Sequence, residues 1–118
     1  MEEVIALTPE QLDNTKYLLL MELHKRSIPV SDMEFSYIQG NFYVTTEAFR
    51  VTPAIFHYCH LDAVSTLVQK HGDKTQISVQ LMLNCFDFTG ANYPKPFITL
   101  TLFTDSNGNI ISKVVSDD

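Results

Sequence analysis

Arg26 and Arg50 are the only two arginines in this chain, and its eight basic side chains stand against fourteen acidic ones, for a formal charge of -6. A phosphate backbone is bound by clustered cations, so nucleic acid is excluded as a partner. No segment approaches the ~20 apolar residues of a membrane span. Glycine is scarce as well, and no phosphate-cradling glycine loop or G-x-S-x-G elbow occurs. The amino-terminal stretch, residues 1–7, has two acids where a secretory signal needs positive charge, and its apolar run is short. The expectation is a cytoplasmic protein in which the two cysteines, Cys59 and Cys85, are reduced buried thiols rather than one disulfide.

Apolar residues make up 45% of the chain and charged ones 19%, a balance that suits a folded domain and not a disordered one. At 118 residues the chain is expected to be a single domain, with no linker composition or low-complexity tract to divide it.

Thr8-Pro9-Glu10-Gln11 supplies an N-cap threonine, proline at N1 and glutamine at N3, which together make a capping box. Leu12, Leu19, Leu20 and Leu23 then recur at helical spacing, and Tyr17, Leu18 and Met21 widen the apolar face, so the helix over 8–26 is expected to be covered on more than one side. Thr52-Pro53 opens a second helix, expected over 53–71. Phe56, Cys59, Ala63 and Leu67 line one of its faces, and Gly72 stands at its C′ position. Strands are expected over 33–38, 42–50, 75–88, 97–104 and 109–115. A Gly40-Asn41 turn would set Tyr37 opposite Val44. A three-residue loop ending in Gly108 would pair Thr104 with Ile110 and Leu102 with Ser112, leaving Lys113 outward, because an unpaired buried ammonium is costly. The fold class is therefore α+β in the order α-β-β-α-β-β-β, an antiparallel sheet with its helices packed on one face. Cystatin-like and NTF2-like folds share this general element order, although no motif here is specific to either.

Residues 75–104 contain two charges, Asp87 and Lys95. The outward parity of the strands reads Gln76, Ser78, Gln80, Met82, Asn84, Phe86 and Phe88, facing Phe97, Thr99, Thr101 and Phe103, with Ile111 on the last strand. An outward sheet face is ordinarily charged. Here Met82, Phe86, Phe88, Phe97, Phe103 and Ile111 form a candidate partner-binding patch rimmed by hydroxyls and amides. The alternative is that a helix or the 89–96 loop covers them within the chain.

Catalytic sets are weak. On a helix, His57 and His60 share a face but Cys59 and Asp62 do not converge with them, so no metal site is expected. Cys59 on an apolar helix face and Cys85 in the core are poor nucleophiles. Asp87 reads as a loop-capping residue. No cofactor, no catalytic residue and no enzymatic activity are expected. The function that follows is a small acidic protein-binding module: an inhibitor, an immunity-type antidote or a chaperone-like adaptor, with another protein or a second copy as its partner. The alternative is a cystatin-like or NTF2-like pocket protein that binds a small apolar ligand, with or without enzymatic activity, and has Tyr37, Tyr43, His57 or Asp87 among its polar groups.

Overall fold

The structure, a computed structural model, describes residues 5–50 and 58–117. One helix, α1 (Pro9–Lys25), precedes six strands: β1 (Glu34–Ile38), β2 (Asn41–Thr45), β3 (Tyr58–His71), β4 (Lys74–Phe86), β5 (Asn92–Thr104) and β6 (Ile110–Asp117). They form one antiparallel sheet in sequential order, β1-β2-β3-β4-β5-β6.

The capping box of α1 is present in full. Gln11 N donates to Thr8 Oγ1 at 3.2 Å, and Thr8 N donates to Gln11 Oε1 at 2.8 Å. The buried face runs through Gln11, Thr15, Leu18, Leu19, Glu22 and Leu23, whereas Tyr17 is exposed. The helix is therefore covered on one side and not on several. Its leucines join Phe42, Val44, Leu61, Ile77, Val79, Leu81, Ile98, Leu100 and Leu102 of the sheet in a single core. Polar groups on the buried stripe are satisfied: Thr15 Oγ1 donates to Gln11 O at 2.7 Å, and Gln11 Nε2 donates to Thr104 Oγ1 at 2.9 Å.

The second helix does not exist over the described part of 53–71. Residues 58–71 are strand β3, and residues 53–57 lie outside the described region. A β-bulge accounts for the helical look of the spacing. Cys59 and Leu61 oppose the inward Cys85 and Leu83, the register slips between Ala63 and Ser65, and Thr66 and Val68 then oppose the inward Val79 and Ile77. The slip inserts a three-residue step into a two-residue rhythm, so the apolar spacing imitates a helix. Gly72, at φ +68, lies in the two-residue turn between His71 and Lys74 and so caps a hairpin, not a helix.

Two hairpins differ in register from expectation, the first at its turn and the last only beyond a bulge. In the first hairpin Tyr37 pairs with Phe42 and Phe35 with Val44, so the turn is Gln39-Gly40. Both residues have positive φ, +52 and +85, as the twist-compatible type I′ turn requires. The shift is two residues, so Tyr37, Phe42 and Val44 keep the core face that alternation assigns them. At the last hairpin Thr104 does pair with Ile110, across a loop with Gly108 at φ +86. A bulge at Ile111 then sets Phe103 against Ser112 and Leu102 against Lys113. Lys113 therefore points to the helix side, where its ammonium is not unpaired. Its Nζ lies 4.0 Å from Glu22 Oε2, and that carboxylate also meets Lys25 Nζ at 3.1 Å and Arg26 Nη1 at 3.2 Å. Arg26 continues to Asp117 at 2.8 Å, tying the helix end to β6.

Candidate interaction surface

Among the described residues, α1 is the one element stacked on the sheet, and the opposite face carries no second layer. Alternation delivers to that open face His60 and Asp62 from β3, every second residue of β4 from Lys74 to Phe86, Thr99, Thr101 and Phe103 from β5, and Ser112, Val114 and Ser116 from β6. Across β3 to β6, Asp62 and Lys74 are its charged residues among those described. The remainder are the His60 and His71 imidazoles, apolar groups, and hydroxyls and amides, several of them hydrogen-bonded across the strands. His71 Nε2 lies 3.0 Å from Gln76 Oε1, and Ser78 Oγ lies 3.0 Å from Thr101 Oγ1.

One end of this face is aromatic. The Phe86 ring stacks on Tyr58, at 4.8 Å and 17°, and on His60, at 5.6 Å and 14°. His60 Nε2 lies 2.8 Å from Asp62 Oδ2, and Asn84 Nδ2 donates to the same oxygen at 2.7 Å. On a helix His60 and Asp62 would diverge. On a strand, two residues apart, they share a face and meet. The dyad is a contact that helical spacing hides, and the alternation of Tyr58, His60 and Asp62 with Cys59 and Leu61 was the signal available for it.

The six patch residues separate in the structure. Met82, Phe86 and Phe103 lie half-buried on the open face. Ile111, the unpaired residue of the β6 bulge, borders with Phe103, His71, Lys74 and Ser112 a shallow hollow of about 260 Å³. Phe97 is unpaired in a bulge between β4 and β5 and packs against the core instead. Phe88 lies beyond the end of β4 in the 87–91 turn and is 78% exposed. Between β2 and β3, which pair at Thr45 and Asp62, an open hollow of about 410 Å³ is lined by Glu34, Ser36, Tyr43, Thr45 and Asp62.

The polar groups named for a ligand pocket do not converge. Tyr37 donates its hydroxyl to Ile5 O at 2.7 Å and packs on Phe42, and burial raises its pKa. Tyr43 lies on the opposite face, half exposed. His57 is outside the described residues. Asp87 caps its own turn: Oδ1 accepts from Thr89 N at 2.8 Å and Ala91 N at 3.1 Å, and Oδ2 accepts from Tyr93 Oη at 2.9 Å. The Thr89 and Tyr93 hydroxyls and these amides hold its carboxyl below the ordinary range. Among the described residues, no three His, Cys, Asp or Glu side chains gather as metal ligands, and no helix is long and apolar enough to cross a membrane. Cys59 and Cys85 are free and buried, and desolvation, followed by the neighbouring Cys85, pushes the Cys59 thiol up to about 12. Comparisons with protein-family models, curated proteins and solved structures return no match to this chain.

Proposed function

We propose that this chain is a non-catalytic protein-binding module whose open sheet face is the docking surface, and that the partner the surface fits is a second copy of the chain. The observation that carries this reading is the character of that face: amides, hydroxyls and half-buried aromatics, nearly free of charge, in a chain of net charge -6. Like-charged molecules associate where their charges are not opposed, and this is the face that meets the condition.

The sheet edges support the same reading. β1 is five residues long and begins with Glu34, while β6 is bent by a bulge and turns Lys113 inward. Short edges, bulges and inward charges are the devices that keep a sheet from pairing edge to edge. The face has no such guard. The molecule measures 49 × 33 × 23 Å, so its broad side has room for the roughly 800 Å² that each partner of a standard interface contributes. Free buried thiols suit a reducing compartment such as the cytoplasm. A surface of this kind would serve an inhibitor, an immunity-type antidote or a chaperone-like adaptor, each of which acts by occupying a partner.

Light scattering on the purified full chain tests the reading. The wild type is expected to run as a dimer, and Phe86→Asp with Phe103→Asp as a monomer with an unchanged circular-dichroism spectrum. A monomeric wild type, or a variant that dimerises equally well, would overturn it.

A further inference from the structure

We infer that Cys59 and Cys85 are a built site for a reversible cross-strand disulfide, closed by exchange with a small-molecule disulfide such as oxidised glutathione. Three observations support this. First, the two residues are direct partners in the β3–β4 ladder, and their sulfurs lie 2.7 Å apart. Second, the hydrogen bonding around Cys59 selects the right kind of pair. Cys59 N donates to Phe49 O at 2.6 Å and Cys59 O accepts from Phe49 N at 2.8 Å, so both backbone groups point away from β4. Cys59 and Cys85 therefore face each other as a non-hydrogen-bonded pair, in which Cα atoms stand about 4.5 Å apart. That spacing lies at the short end of the range a disulfide spans, so the two strands already stand within bonding reach.

Third, the position allows access. Both side chains are fully buried, but Cys85 lies one residue from Phe86, where β4 ends. Strand ends open locally far more often than whole domains unfold. In the chemistry, a cysteine thiolate attacks the oxidant's disulfide, forming a mixed disulfide and releasing one glutathione thiolate. The second cysteine then displaces the other glutathione. Two protein thiols lose two protons and two electrons in all, and one glutathione disulfide becomes two thiols. Burial and the raised thiol pKa keep the thiolate fraction small, so the exchange is slow at neutral pH and faster as pH rises. The closed bond would staple the end of the hairpin that displays the Tyr58–Phe86–His60 stack on the other side of the sheet, and it would close a span of 26 residues.

The test uses the full reduced wild-type chain, incubated with oxidised glutathione near pH 8 and then alkylated under denaturing conditions. The expected product is an unalkylated chain lighter by about 2 Da, with Cys59 and Cys85 joined in the peptide map. Its melting temperature is expected to be higher by roughly 5 °C or more, because the cross-link constrains the unfolded chain, and dithiothreitol should reverse the gain. Two alkylated cysteines after prolonged incubation would overturn the inference, as would an intermolecular cross-link or a linked product that melts lower than the reduced one. This readout involves no association and is independent of the docking surface.

Discussion

Glu22 offers the sharpest check on how the helix is fastened to the sheet. Its carboxylate is nearly sealed from solvent, yet Lys25, Arg26 and Lys113 all reach it, and it is the reason Lys113 can point inward. Glu22→Gln keeps the shape and removes the charge. Losing one partner of a fully buried pair costs about 3–5 kcal/mol. Here the cations are less enclosed: Lys25 is 59% exposed, Lys113 36%, and Arg26 keeps Asp117. The freed cations can turn to water, so the expected loss falls to about 1–2 kcal/mol, close to the value of a hydrogen bond to a charged group. For a chain of this size that is a melting temperature lower by about 4–8 °C.

The sign of the pH dependence follows from the direction of the shift. The hydrogen bond from Lys25 leads the causes that lower the Glu22 pKa, opposed by burial and reinforced by Arg26. A depressed carboxyl contributes stability that is fully present above its unfolded value, about 4.3, and is lost as pH falls through the folded one. Urea melts of wild type and Glu22→Gln should therefore differ at pH 7 and converge in acid, as pH falls through the lowered folded value. Equal stability at pH 7, or a gap that persists unchanged into strong acid, would show that the Glu22 charge does not fasten the helix to the sheet.

Two further changes probe the turns. Gly108→Ala should cost about 1–2 kcal/mol in a urea melt, because φ is +86 there and the new Cβ would lie 3.1 Å from Glu10 Cβ and 3.2 Å from Thr8 Oγ1. The same variant should speed amide exchange at Gln11, whose N–H the Thr8 cap holds. Gln39→Asn should raise the melting temperature slightly, by the equivalent of about 0.5 kcal/mol, since it turns a strained Gln-Gly into the Asn-Gly favoured by type I′ turns.

Much of the fold was legible where one local rule acted alone. The Thr8-Pro9-Glu10-Gln11 cap marked the start of α1, and the strict alternation from Gln76 to Cys85 marked β4 and both of its faces. Legibility failed where a bulge broke the rhythm. At Ala63–Ser65 the slip made a strand look helical, which also separated His60 from Asp62 on paper although they touch in the fold. At Pro96–Ile98 another bulge turned Phe97 toward the core. At Ile111 a third turned Lys113 inward, and sequence reasoning had no means of knowing that Glu22, 91 positions away, waited there to pair with it. Pro94 and Pro96, which suggested a loop, are tolerated in β5 because β6 pairs only from Ile98 onward, so that stretch is an edge. Of the patch, Met82, Phe86 and Phe103 were readable from alternation, while Phe88 fell past the end of its strand.

On the proposed reading, the nearly uncharged sheet face joins two copies of this chain. Sedimentation equilibrium of the wild type at low and high salt addresses it most directly, because a contact without charges is only weakly screened. A face-to-face dimer gives a mass twice the 13.4 kDa of the chain at both salt concentrations, and 13.4 kDa once Phe86→Asp and Phe103→Asp are introduced together. A wild type at 13.4 kDa throughout, or a dimer that dissociates with salt and ignores both substitutions, would contradict it.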